Sequence, residues 1–469
     1  MHCLARRALP WLVLGVVSST SLSGTQGPAA GQIVEKVTCA NAAGQTYALY
    51  LPSRYSPDRP WPILYAFDAG ARGLLPVQRF RDAAERYGYI VAGSNNSRNG
   101  PIEVANEALR AMVADTMSRF SIDPKRVYAA GFSGGARVAV LAAIASRQVV
   151  GVIGCGAGFP PDFPPSASMT FAYFGTAGTD DFNYPEMKQL DDTLEKLGVP
   201  HRLEVFEGTH DWPPPEVCTR ALEWMEVQAM RSTVRARDDE LLDRILATDA
   251  ADAAVEEKAG RLYDAYSHYG ALATMFAGLR DVTAYAQKAR QLAGVRAVRR
   301  VQSERATSIE RQLSADARFA RLADEAVAGD DPGSAIPAFL QDLAALKSQS
   351  DRPTSDAFRM AARRVLSATW IRLNDATAGD MASGQFMRAA ARLSLMARIR
   401  PDNSRVDYTL ARAYARAGKR NAAVQALQSA VRKGFTDVAA IEAEPDFESL
   451  RGEDGFRKIV AGLGKDPTT

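Results

Sequence analysis

Val127-Tyr128-Ala129-Ala130-Gly131-Phe132-Ser133-Gly134-Gly135-Ala136 is the stretch that decides how this chain folds. A short apolar run of β type, Val127–Ala130, passes through Gly-Phe-Ser-Gly-Gly straight into the helix-forming segment Ala136–Ala145. One serine therefore stands on a tight strand-to-helix turn, and only residues without a β-carbon fit beside such a backbone. The turn lifts the hydroxyl out of the sheet. It also leaves the Gly134 amide aimed at the same place, at a helix N-terminus that favours negative charge. A serine hydroxyl attacks only when a base removes its proton, so the pattern demands a histidine downstream and a carboxylate to orient it.

Beyond the leader the chain has three histidines, His201, His210 and His268. His210 follows the apolar strand Leu203–Phe206, in Glu207-Gly208-Thr209-His210-Asp211-Trp212, and is the expected base. His201 opens that strand and reads as a surface residue, and His268 lies outside the α/β portion. The carboxylate is expected in the loop after the strand Phe171–Phe174, where Asp180 and Asp181 compete.

From Ile33 to about Met230 short apolar runs alternate with helical stretches, the pattern of a parallel sheet covered on both faces. The runs are Ile63–Phe67, Tyr89–Ala92, Val127–Ala130, Val149–Ile153 and Phe171–Phe174, and the helices include Val77–Tyr87, Glu103–Phe120 and Glu186–Leu197. Ile33–Cys39 and Thr46–Leu51 read as a hairpin turning at Ala42-Ala43-Gly44. Past about Arg231 the β signals stop, and Ala-, Arg- and Leu-rich segments with helical apolar spacing run to the end. Gly384, Ala389 and Leu393 recur 34 residues on as Gly418, Ala423 and Leu427, with Leu410, Ala411 and Tyr414 ahead of the second glycine.

Ile122-Asp123-Pro124-Lys125-Arg126-Val127-Tyr128 before the serine, and Gly208-Thr209-His210-Asp211-Trp212-Pro213 around the histidine, make residues 33–230 resemble exported polyhydroxybutyrate-depolymerase and feruloyl-esterase type enzymes of the α/β-hydrolase superfamily. The 363–435 segment resembles tetratricopeptide repeats, with one clear copy and one degraded copy carrying Thr377 and Asp380 at positions where small and aromatic residues usually sit. The resemblance implies an α/β-hydrolase sandwich followed by an all-α repeat domain. It also implies ester hydrolysis through an acyl-serine, without a cofactor. The order serine, acid, histidine and an acid three residues after a loop glycine select Asp181 over Asp180. A second oxyanion donor comes from the loop Asp68-Ala69-Gly70-Ala71-Arg72-Gly73, as the amide of Ala69 or Gly70 beside that of Gly134. Asp68 stands where many lipases carry the histidine of a His-Gly-Gly motif.

The expected division is a signal peptide at 1–23, an α/β-hydrolase domain at 30–231, a helical connecting region at 232–346 and tetratricopeptide-like repeats at 347–469. The leader has Arg6-Arg7 and an apolar Ala8–Val17, about ten residues against the roughly 20 needed to span a bilayer. Export to the periplasm or the medium, with no membrane span in the mature chain, is the expectation, and retention as an anchor is the alternative. A balance of 57 Lys+Arg against 54 Asp+Glu, without charge runs, argues against nucleic acid as a partner. Cys39, Cys155 and Cys218 leave room for one disulfide, and neither they nor the scarce histidines match a metal pattern.

The substrate expected is a small-molecule or polymeric ester. Between Ile153 and Thr170 the proline-rich segment 154–169 is too short for a helical lid, so an open cleft edged by Phe159, Phe182, Tyr184 and Trp212 is expected, the last three touching substrate; the equal alternative is that these aromatics pack loops onto the sheet. The helical half is expected to bind a protein partner or to shield the cleft. The alternatives are a serine peptidase of the same fold and a hydrolase-derived scaffold that binds without turnover.

Overall fold

The computed structural model describes residues 28–328, 335–353 and 356–463; the leader at 1–23 lies outside them. The first half is an eight-stranded sheet. Its strands are β1 (Ile33–Cys39), β2 (Ala42–Tyr50), β3 (Trp61–Asp68), β4 (Ile90–Ser94), β5 (Ile122–Phe132), β6 (Val149–Cys155), β7 (Ala172–Gly178) and β8 (His201–Phe206). They lie side by side in the order β1-β2-β4-β3-β5-β6-β7-β8, antiparallel for β1, β2 and β4 and parallel from β4 to β8. Helices α1 (Leu74–Tyr87), α2 (Ile102–Arg119), α3 (Gly134–Ser146), α4 (Tyr184–Leu197) and α5 (Pro215–Arg231) connect and cover the strands.

Every residue of β3 and β4 is buried, which is why these strands read as continuous apolar runs rather than alternating ones. One face packs Val77, Phe80, Leu222 and Met225 against Leu64, Val91 and Tyr128; the other packs Met112, Val140, Met187 and Leu194 against Ile63, Ala129 and Val152. This order of strands, with a serine turn at the end of central β5, is the α/β-hydrolase arrangement. The hairpin differs from expectation. Its turn is Ala40-Asn41, and Ala42-Ala43-Gly44 already belong to β2, with Ala42 paired to Cys39.

The second half is helical: α6 (Asp239–Lys258), α7 (Leu262–Met275), α8 (Thr283–Ala293), α9 (Arg296–Glu325), α10 (Ala335–Ser350), α11 (Ala357–Ala382), α12 (Phe386–Ile399), α13 (Ser404–Arg416), α14 (Arg420–Arg432), α15 (Val438–Ala443) and, after a 3-10 turn, α16 (Asp454–Leu463). Leu242 and Ile245 of α6, Leu272 and Met275 of α7 and Leu292 of α8 share one core with Phe80, Trp224 and Met225 of the sandwich. A second core joins α9 to α13 through Phe319, Phe339, Leu343, Val365, Leu373 and Leu393. A boundary at residue 346 therefore falls inside α10, within a continuous stack.

The two repeat copies are visible as two helix pairs. Gly384, between α11 and α12, and Gly418, between α13 and α14, take φ of +76° and +72°, a conformation that favours glycine at each inter-helix turn. Ala389 and Leu393, and Ala423 and Leu427, are buried behind them. The irregular copy has its own logic: Asp380 is buried and accepts a 2.9 Å hydrogen bond from Arg392 of α12, so an ion pair fills the space of a packed apolar side chain.

No disulfide forms among the described residues. Cys39, Cys155 and Cys218 are free and buried, and burial pushes the Cys155 thiol up to about 12 and raises that of Cys218 well above its usual range. No helix among the described residues is long and apolar enough to cross a membrane.

Asp316 of α9 is the carboxyl whose environment opposes its charge most clearly. Burial raises its pKa to about 6 against the hydrogen bonding of Gln312. The folded chain thus holds a proton there that the unfolded chain releases near pH 4, so stability contributed by this group falls as pH rises from about 4 to 6. Asp316→Asn is expected to stabilise the protein at pH 7.5 by roughly 1–3 kcal/mol and to change little at pH 4. Thermal melts at the two pH values check this.

Candidate active site

Ser133 sits between β5 and α3 with φ of +56° and ψ of −122°, strained for any residue with a side chain. The neighbouring glycines explain how the turn closes. A β-carbon on Gly131 would come within 2.0 Å of the Gly135 carbonyl oxygen, and one on Gly135 within 2.1 Å of the Phe67 carbonyl oxygen. The Ser133 amide donates to the Cys155 carbonyl at 2.9 Å, tying the turn to β6. Gly134 opens α3, so its N–H has no partner within the helix and points outward at the positive end of the dipole.

His210 lies in the segment after β8, and its Nδ1 meets Asp181 Oδ1 at 2.8 Å. Asp181 is fully buried, and the same oxygen accepts the Asn183 amide at 2.8 Å. The imidazole is held between two rings, Phe132 at 4.6 Å and Phe182 at 4.2 Å between centroids. Phe132 adjoins Ser133 in the chain, so the histidine stands beside the serine turn. Gly156, at φ +65°, closes the site from β6: a β-carbon there would lie 2.9 Å from Asp181 Oδ2 and 3.0 Å from His210 Nδ1.

Of the two aspartates, the structure thus brings Asp181 to His210. Asp180 turns to the helical half and pairs with Arg363 of α11 at 2.8 Å. His201 is engaged elsewhere, with Nδ1 2.8 Å from the Val199 carbonyl and Nε2 3.4 Å from Asp191. Burial disfavours its charge, but the Asp191 contact and the Val199 carbonyl outweigh burial and leave its pKa above the ordinary value. His268 pairs with Glu256 in the helices.

The loop after β3 corrects one expectation. The Gly70 amide is consumed by the Asp68 carboxylate at 2.8 Å, leaving Ala69 as the neighbour whose N–H takes no partner among the described residues. Asp68 is buried and also accepts from Arg72 and from the Trp212 indole at 2.7 Å. Burial opposes its charge, yet these donors hold its pKa below the usual carboxylate value.

Trp212 is corrected as well: only 2% exposed, it anchors the histidine segment to the sheet through Asp68, Phe80 and Phe132 instead of edging the cleft. Tyr184 is likewise buried, with the guanidinium of Arg364 4.4 Å from its ring. Phe182 alone of the three aromatics lies on the imidazole.

Asn99 went unnoticed in the sequence. Its main-chain N–H donates to the Ala69 carbonyl at 2.8 Å, and its side-chain Oδ1 lies 1.8 Å from where a Gly134 β-carbon would be. An exposed polar side chain therefore lies against Gly134, on a backbone tied to Ala69. Nothing in the Asn-rich loop 95–99 marks one asparagine over another, because the contact depends on how that loop returns across β3.

Comparison with curated proteins finds no match. Residues 380–443 match the model of the tetratricopeptide repeat family. Among solved structures the chain is similar to an S-formylglutathione hydrolase from Staphylococcus aureus, with 15% identity over 43% of this chain and 99% of the other at a TM-score of 0.33. It is also similar to a ferulic acid esterase, with 17% identity over 41% and 95% at 0.33. An esterase from Pyrobaculum calidifontis aligns with 13% identity over 43% and 87% at 0.35. The fold rests on the strand order and the serine turn described above: an α/β-hydrolase sandwich carrying a helical stack that ends in tetratricopeptide-like repeats.

Proposed function

We propose that the chain is a serine hydrolase of carboxylic esters working through an acyl-serine intermediate. The observation that carries this reading is one arrangement: a serine at positive φ between strand and helix, beside a histidine bonded to a buried aspartate, in the chain order serine, aspartate, histidine. In this reading Ser133 Oγ attacks the ester carbonyl while His210 Nε2 takes its proton. Asp181 holds the Nδ1–H tautomer and stabilises the imidazolium. The amides of Gly134 and Ala69 hold the oxyanion, with Asn99 at its edge. Collapse returns the proton from His210 to the departing alcohol, and water, activated by the same histidine, releases the acid.

The repeats support a second task for the helical half, receiving a protein partner, and the arginine-led apolar leader supports export. A panel of p-nitrophenyl esters of increasing acyl length, with feruloyl esters alongside, tests the reaction class. Turnover of at least one ester, lost when Ser133 is replaced, is expected. A purified full-length protein inert across the panel contradicts the reading and favours a binding scaffold.

A further inference from the structure

The loop that carries Asp181, residues 179–183, is held from two sides. Its amides bond back into the sandwich: Thr179 to the Phe206 carbonyl at 2.8 Å, Asp180 to the Gly208 carbonyl at 2.8 Å and Asp181 to the Gly178 carbonyl at 3.1 Å. Two of its carbonyls are taken by the helical half, while those of Asp181 and Asn183 accept the Tyr184 and Met187 amides at the start of α4. Arg364 Nη1 of α11 donates to the Thr179 oxygen at 3.0 Å, and Gln312 Nε2 of α9 donates to the Phe182 oxygen at 2.9 Å.

The two side chains are locked to each other, since Arg364 Nε donates to Gln312 Oε1 at 2.7 Å. Arg364 and Gln312 are 2% and 1% exposed. Removing a guanidinium from water to this degree is costly unless its donors are met, and here the acceptors that meet them are the loop carbonyl and Gln312, with the Tyr184 ring beneath. Asp181 itself has one oxygen, Oδ2, without a hydrogen bond among the described residues. Among those residues Oδ1 takes, besides His210, only the Asn183 amide of the same loop, so the carboxylate follows the loop backbone. Asn183 Nδ2 ties that backbone to the Gly156 carbonyl at 2.7 Å, and Arg364 and Gln312 grip it from the helical side.

We infer that Arg364 and Gln312 form a strut by which the helical half sets the position of the Asp181 loop, and through it of His210. They are positioning residues; neither touches substrate in the proposed reaction. The inference builds on the ester-hydrolase reading, and makes the helices a working part of the active site instead of an appendage. Arg363, half exposed and paired with Asp180 at the rim, is outside the strut and serves as the control.

The test uses the full chain with Arg364→Met, Arg364→Lys, Gln312→Leu and, as control, Arg363→Gln. The measurements are thermal melting, kcat and KM on an ester, and the low-field proton resonance of His210 Nδ1–H, which reports the Asp181 contact without turnover. Arg364→Met and Gln312→Leu are expected to lower kcat about ten- to hundred-fold with KM little changed, the size of loss that follows from sub-ångström to ångström misplacement. The resonance should shift or vanish. Arg364→Lys, which keeps the charge but not the two-way fork, should recover only part of kcat, and Arg363→Gln should behave as wild type.

Folded Arg364→Met and Gln312→Leu proteins with wild-type kcat and resonance would overturn the inference. If Arg364→Met does not fold, Gln312→Leu decides alone, because it leaves the Arg364 bond to Thr179 in place. If the wild type hydrolyses no ester, the functional reading fails, and the resonance still decides whether the strut aligns His210.

Discussion

Ser133→Ala is expected to lower kcat for ester hydrolysis by about 10⁴- to 10⁶-fold, with the protein still folded and KM nearly unchanged. The hydroxyl is the only group the substitution removes, and the backbone strain at φ +56° is imposed by the surrounding turn, not by the side chain. Alanine tolerates that φ no worse than serine, so the melting temperature should move little. Steady-state kinetics beside a thermal melt separate a lost nucleophile from a lost fold. An enzyme using another nucleophile would keep most of its rate.

The second large effect separates two adjacent aspartates. Asp181→Asn is expected to cost about 10³- to 10⁴-fold in kcat, because an amide can present its NH₂ to His210 Nδ1 and favour the wrong imidazole tautomer. Asp180→Asn should cost no more than a few-fold. It removes a partly exposed pair with Arg363, whose worth is about 0–1 kcal/mol. Kinetics of both variants on the same ester check the pair, and a larger loss from Asp180→Asn would contradict the assignment.

What the sequence made legible was whatever local sterics dictate. Gly131, Gly134 and Gly135 around Ser133 are demanded within a few residues by close backbone approach, and the apolar runs of β3 and β4 follow from burial on both faces. His210 was readable because its rivals lie at the start of a strand or in the helices. Features set by distant partners were not readable. Trp212 looks like a cleft aromatic until Asp68, 144 residues away, takes its indole N–H. Tyr184 looks exposed until Arg364 covers it. Gly70 reads as good a donor as Ala69 until the fold turns the Asp68 carboxylate back onto its amide. The 34-residue repeat showed in its glycines and leucines, while the copy broken by Asp380 made sense only with Arg392 across the helix pair.

The central claim, that Ser133 is the activated nucleophile of this fold, is tested most directly by treating the full-length protein with a fluorophosphonate and mapping the adduct by mass spectrometry. A single adduct on the peptide containing Ser133, absent from Ser133→Ala and slowed in His210→Ala and Asp181→Asn, is the predicted result. An adduct on another residue, or labelling that persists in Ser133→Ala, would contradict it.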